Sequence, residues 1–292
     1  MSANPLGEPL QQTQAITPVA TVAALAIGTT AGLNHVDIGK GELAIVFIHG
    51  FSCSLSDWDA QVRTLSKSVR CIAVDLPGHG KSPRSGEPTI EAMAASVVKT
   101  LKSADVRRAV LVGSSMGCRV QSEIYRQAPE LVIGQVYVDG SIFQGDSTAI
   151  VTQMEERIAR FGFDQMLDGL YKDFFVESSS PAVREYVYAR RSSIDPAFHS
   201  RLFTDILVWD AAHSVKALRS LKVPVLAIQS TTVDANLKRV PITPGVETPW
   251  MKAIRENAPG ARIVLIEGVG HFTMLEAPER VNELISGFSN GQ

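Results

Sequence analysis

The sequence predicts an α/β protein: a mostly parallel central sheet with helices on both faces and a helical segment inserted between two of its strands. Three observations predict it. Short continuous apolar runs alternate with amphipathic stretches from residue 44 to 138, and again from 223 to 288. That rhythm breaks between Gly140 and Leu221, where helical spacing continues without a strand-like run. Finally, Gly113-Ser114-Ser115-Met116-Gly117 joins an apolar run directly to a helical pattern, which reads as strand, tight turn, helix.

Residues 1–18 read as a disordered leader, with no Lys or Arg before Lys40 to form the basic start of a secretion signal. Residues 19–27 and 33–38 read as a hairpin around the turn 28–32. The apolar runs 44–48, 71–74, 109–112 and 135–138 carry no polar alternation, as expected of strands buried on both faces. Residues 56–66, 89–103 and 116–128 are the helices between them; Ile90, Met93, Ala94, Val97, Val98 and Leu101 share one helical face. Helical candidates 147–161, 163–175, 182–193 and 196–214 fill the break. The pattern resumes with strand 223–228, helix 249–257, strand 262–266 and helix 278–288. The core is therefore residues 19–140 and 221–292, and 141–220 is a helical lid over the carboxyl edge of the sheet, where ligands sit in open α/β sheets.

The chain has 292 residues and 28 basic against 30 acidic side chains, so it carries no electrostatic footprint for nucleic acid. No apolar run approaches the ~20 residues of a membrane span. Three irregularly spaced cysteines, Cys53, Cys71 and Cys118, form neither a disulfide framework nor a zinc site, so a cytoplasmic location is expected. No metal cluster or phosphate loop stands out, and Gly78-His79-Gly80 lacks the third glycine of a dinucleotide site, so no metal and no cofactor are expected. Nothing in the sequence speaks to an oligomeric state.

The chemistry concentrates at strand ends. In Gly113–Gly117 the flanking glycines permit a sharp turn that presents Ser115 as a nucleophile. The helix that follows leaves N–H groups free for an oxyanion, among them Met116. His49-Gly50-Phe51 follows the first central strand, and its Phe51 N–H is the expected second oxyanion donor, with His49 bracing the loop. Asp75-Leu-Pro-Gly-His-Gly-Lys-Ser82 reads as a rigid turn in which His79 is structural. His271, in Gly268-Val-Gly-His-Phe272, follows the last strand and is the candidate general base. His35, His199 and His213 read as ordinary surface or lid positions.

With these motifs in order, the chain resembles the α/β-hydrolase fold family over almost all of residues 19–289. The matching pieces are HGF at 49–51, DLPGHGKS at 75–82, GSSMG at 113–117, VPVLAIQ at 223–229 and GVGHF at 268–272. The resemblance implies a triad in the order serine, acid, histidine, with Ser115 and His271 at its ends. Two residues compete for the acid. The family most often places it in a Gly-x-x-Asp turn after the strand that is here 223–229, but Ser230 replaces the glycine and Val233 the acid, leaving Asp234 one residue late. Some members carry the acid one strand earlier, where this chain has Asp139.

In the lid, Met154, Phe161, Met166 and Phe174 are candidates for an apolar wall around a small ester or lactone substrate. Arg184, Arg190 and Arg191 read as a solvated helix face before an anion site, Trp209-Asp210 as a hinge anchor, and Cys118 as a packed side chain. The expected activity is that of a serine hydrolase acting on a carboxylic ester or lactone through an acyl-enzyme. Carbon–carbon bond hydrolase, perhydrolase, amidase, thioesterase and acyltransferase activities use the same parts, and a ligand-sensing homologue with little turnover keeps them too. An aspartate-nucleophile dehalogenase or epoxide hydrolase does not fit Ser115.

Overall fold

The computed structural model describes residues 32–234 and 238–292. The leader 1–18 and the first strand of the expected hairpin, 19–27, lie outside the described residues. Seven strands form one sheet in the order β1-β3-β2-β4-β5-β6-β9. They are β1 (His35–Ile38), β2 (Leu43–Ile48), β3 (Arg70–Val74), β4 (Arg108–Ser114), β5 (Val132–Val138), β6 (Val225–Gln229) and β9 (Arg262–Leu265). Only β1 runs antiparallel, against β3 at the edge; the remaining pairs are parallel. A second, two-stranded sheet pairs β7 (Thr231–Val233) with β8 (Arg239–Pro241).

Apolar composition explains which strands are central. Ala44 to Ile48 and Ala109 to Val112 are wholly buried, because helices cover both faces of the sheet. The covering helices are α1 (Asp59–Leu65), α2 (Ile90–Ser103), α3 (Met116–Gln127), α9 (Pro249–Asn257), α10 (Thr273–Glu276) and α11 (Pro278–Ser289). Between β5 and β6 lie five more: α4 (Ser147–Phe161), α5 (Phe163–Asp173), α6 (Pro181–Ala189), α7 (Pro196–Trp209) and α8 (Val215–Ser220). Their starts are written in side-chain chemistry. Asp146, Ser180 and Asp195 cap α4, α6 and α7 by accepting from the amides of Ala149, Val183 and Phe198. Pro181 and Pro196 supply fixed first residues. A single π turn, Asp210–Ser214, joins α7 to α8.

After β6 the chain folds back on itself as the β7–β8 hairpin. Pro241 sits at the end of β8, where a missing N–H is tolerated. Asp234 belongs to this hairpin's turn: its amide donates to the Lys238 carbonyl at 2.8 Å, and its Oδ1 accepts from the Lys238 amide at 2.9 Å. Among the described residues no helix is long and apolar enough to cross a membrane.

Candidate active site

Parallel register brings the sheet's carboxyl ends to one level. Ser114 pairs with Val138, Val138 with Ile228, and Ile228 with Val264. The residues just beyond these positions, Ser115, Asp139, Ser230 and the loop carrying His271, therefore share one edge. The turn at Ser115 is tight. Its φ is 54° and ψ −115°, a left-handed conformation that a residue with a side chain adopts at a cost. Glycine on either side makes this possible: a Cβ on Gly113 would lie 2.4 Å from the Gly117 carbonyl oxygen, and one on Gly117 would lie 2.3 Å from that of Ile48. The Ser115 amide donates to the Val138 carbonyl at 3.1 Å, fastening the turn to β5.

Asp139 directly follows β5, also at positive φ (46°), and is completely buried. Its Oδ1 accepts from the amides of Ser230 and Thr231 at 2.9 and 2.7 Å and from the Ser230 hydroxyl at 3.1 Å. Its Oδ2 accepts from the Thr231 hydroxyl, from Arg239 Nη1 at 3.1 Å and from His271 Nδ1 at 2.6 Å. Burial pushes toward the neutral acid, but the hydrogen bond from His271 and the charge of Arg239 outweigh it and hold the carboxyl below its ordinary range. An ionised carboxylate accepts only, so the proton sits on His271 Nδ1 and Nε2 keeps its lone pair.

The His271 ring is buried and stacked on Phe174, with centroids 5.0 Å apart. Its amide donates to the Phe174 carbonyl at 2.7 Å, and a Cβ on the preceding Gly270 would lie 2.5 Å from that same oxygen. Burial first, and then the Arg239 charge, lower its pKa to about 4 against the opposing pull of Asp139. The imidazole is therefore neutral across the physiological range, the form a general base requires.

The surrounding motifs brace this edge. His49 donates from Nδ1 to the Gly50 carbonyl at 2.8 Å and accepts from the Leu76 amide at Nε2 at 2.9 Å, tying the loop after β2 to the loop after β3. Asp75 holds the latter loop through Asn34 Nδ2 and the amides of Leu55 and Lys81, at 2.7–2.9 Å. His79 hydrogen-bonds the Pro77 carbonyl at 3.0 Å and packs on His49. Phe51 and Met116 are buried beside the strand–helix turn at Ser115, the elbow of the site, at 5% and 1% exposure. Burial pushes the Cys118 thiol up to about 12, in keeping with a packed side chain.

Several expectations change. His199 lies on α7, within the segment expected as a lid, but it is buried: it packs edge-on to Phe51, with centroids 5.5 Å apart, and against His79 at 4.9 Å. The arginines are only in part a solvated face. Arg190 is half-buried on Asp57 at 2.5 Å, Arg191 pairs with Asp164 and Asp168, and Arg184 donates to the carbonyls of Ser179 and Val176. Of the four lid candidates, Phe174 touches His271, Met154 is buried and Met166 half-buried, whereas Phe161 is 48% exposed at the end of α4. Two arginines escaped the sequence reading. Arg239 lay in an unassigned loop and had no signal. Arg119 had one: four residues after Ser115 on α3, it lies one helical turn beneath it.

A parallel sheet presenting a strained serine at a strand–helix turn, with a buried aspartate–histidine pair on neighbouring strand ends, is the architecture of an α/β hydrolase. The family profile described as the alpha/beta hydrolase family matches residues 45–284, and the chain belongs to that family. It is similar to the dihydrolipoyllysine-residue acetyltransferase component of the acetoin cleaving system of Cupriavidus necator, 27% identical over 87% of this chain and 65% of that protein. The chain thus spans just under two thirds of the length of that relative and of its Pseudomonas putida counterpart. It is also similar to the pimeloyl-[acyl-carrier protein] methyl ester esterase of Nitrosomonas europaea, 27% identical over 84% of this chain and 95% of that one. Among solved structures, a thermophilic esterase from Thermogutta terrifontis superposes with a TM-score of 0.71 at 24% identity, covering 89% and 93% of the two chains.

Proposed function

We propose that the protein is a serine hydrolase cleaving a carboxylic ester or lactone through an acyl-enzyme. The observation that carries this reading is the 2.6 Å hydrogen bond from His271 Nδ1 to the buried, ionised Asp139, one strand away from a serine held at positive φ. His271 Nε2 takes the Ser115 proton as Oγ attacks the carbonyl carbon, and Asp139 stabilises the imidazolium that forms. The N–H groups of Met116 and Phe51 receive the oxyanion. As the tetrahedral intermediate collapses, the carbon–oxygen bond breaks and His271 returns the proton to the departing alkoxide. Water, deprotonated by the same nitrogen, then attacks the acyl-enzyme, and Ser115 leaves protonated. A methyl ester esterase among the relatives supports an ester as the bond cleaved.

Residues 141–220 act as a lid in this reading, with Met154, Met166 and Phe174 as its apolar wall; exposed Phe161 has no part in it. The test is turnover of short and medium p-nitrophenyl esters and of simple lactones, together with fluorophosphonate labelling. Turnover and labelling both abolished by Ser115→Ala support the proposal. A folded wild type that is labelled nowhere and turns over no ester refutes it.

A further inference from the structure

We infer that Arg119, clamped by Asp210 at the foot of the lid, is a positioning residue that orients the Ser115–Met116 peptide for oxyanion binding. This rests on the serine-hydrolase reading above and deepens it. Arg119 and Asp210 are both 3% exposed, and the guanidinium makes its contacts in a fork. Nε and Nη2 donate to the two Asp210 carboxylate oxygens at 3.1 and 2.5 Å. Nη2 also reaches the Ser141 carbonyl at 2.7 Å and its hydroxyl at 3.1 Å. Nη1 donates to the Ser115 carbonyl oxygen at 3.0 Å, an oxygen that the Cys118 amide approaches at the same distance.

That carbonyl belongs to the same peptide unit as the Met116 N–H. In a planar trans peptide the two groups point in opposite directions. Holding the oxygen down along α3 therefore aims the N–H off the helix N-terminus, where the oxyanion forms. The constraint matters because Ser115 sits at positive φ, so relaxation of the turn would rotate this very peptide.

Asp210 adds a second link. Besides Arg119 it accepts from the Phe143 amide at 3.1 Å and from the Ser214 hydroxyl. Phe143 precedes α4 and Ser214 follows α7, so both connections between lid and sheet converge on the carboxylate that holds Arg119. The orientation of the oxyanion donor is thereby tied to the seating of the lid.

The test compares wild type with Arg119→Lys and with the double variant Arg119→Met/Asp210→Leu, which removes the pair without stranding a buried charge. Thermal unfolding selects the folded variants. Steady-state kinetics on a p-nitrophenyl ester, affinity for a phenylboronic acid that forms a tetrahedral adduct on Ser115, and fluorophosphonate labelling follow. The expectation is a kcat lower by roughly 10–100-fold with KM within about threefold, since the misaimed donor acts mainly in the transition state. Boronate affinity should fall by a similar factor. Lysine should not rescue, because an ammonium lacks the planar fork that reaches the Ser115 carbonyl and both Asp210 oxygens. If either folded variant keeps wild-type kcat and boronate affinity while wild type is labelled at Ser115, the inference is overturned and the hydrolase reading stands. If wild type itself shows no labelling that depends on Ser115, both fall.

Discussion

Arg239 offers the sharpest test of the site's electrostatics. Its guanidinium and the His271 ring donate to the same oxygen, Asp139 Oδ2, at 3.1 and 2.6 Å, so the two nitrogens are separated by no more than the sum of those distances. When His271 is protonated, two cations face each other across one carboxylate in a buried site. At a separation of ~6 Å and an effective dielectric of ~20, their repulsion is on the order of 3 kcal/mol, or roughly two pH units on the imidazole. The sign follows directly. Base catalysis needs neutral His271, so kcat/KM should fall as pH drops through its pKa of about 4. Arg239→Met removes the repulsion and raises that pKa, moving the acid limb of the profile upward by roughly one to two pH units. Asp139 would retain the donors from Ser230, Thr231 and His271. The assay is kcat/KM for a p-nitrophenyl ester between acid and neutral pH, read at the isosbestic wavelength of nitrophenol. An unchanged acid limb in a folded Arg239→Met protein would refute the coupling, as would a shift to lower pH.

Four further outcomes are expected. Asp139→Asn should lower kcat by roughly 10³–10⁴-fold, because an amide can turn its N–H toward His271 and invert the tautomer. Asp234→Asn, whose carboxylate meets the Lys238 amide in the hairpin turn, should leave kcat within about threefold; parallel kinetics on both variants decide between them. Ser115→Gly should abolish turnover yet stabilise the fold by about 1 kcal/mol, since glycine adopts positive φ freely; the readout is denaturant unfolding, and a loss of stability would contradict the strain argument. Burial lowers the pKa of His49, His79, His199 and His271 in the folded protein. Below the unfolded value of ~6.5 the unfolded chain then binds protons that the native state refuses, so stability is full above ~6.5 and declines toward pH 4. Thermal unfolding monitored by circular dichroism should show Tm falling across that interval, and a flat profile would be incompatible with four buried neutral imidazoles.

What could be read from the sequence was whatever a local pattern encodes. Strands such as Ala109 to Val112 announce themselves because a strand covered on both faces must be apolar throughout. The elbow is legible because the close approach of β4, α3 and β2 excludes side chains at Gly113 and Gly117. The candidate acid was different. Asp139 and Asp234 both follow strand-like runs, and choosing between them requires knowing what the loop after β6 does. That loop forms a hairpin, which places Asp234 in its own turn and delivers Arg239 onto Asp139. No window of sequence contains that contact, because it joins residues 100 positions apart. The burial of His199 and of the arginines between β5 and β6 was not legible for a related reason. Amphipathic spacing says that a helix has a buried face, but not that the neighbour on that face is polar. Among the helices between β5 and β6 the inward neighbours include His79 for His199 and Asp57 for Arg190. A half-buried charge or a buried imidazole on such a helix is thus the part of the sequence most easily mistaken for surface. Here His199 and Arg190 link the helices between β5 and β6 to the loops after β2 and β3, which carry Phe51 and His79.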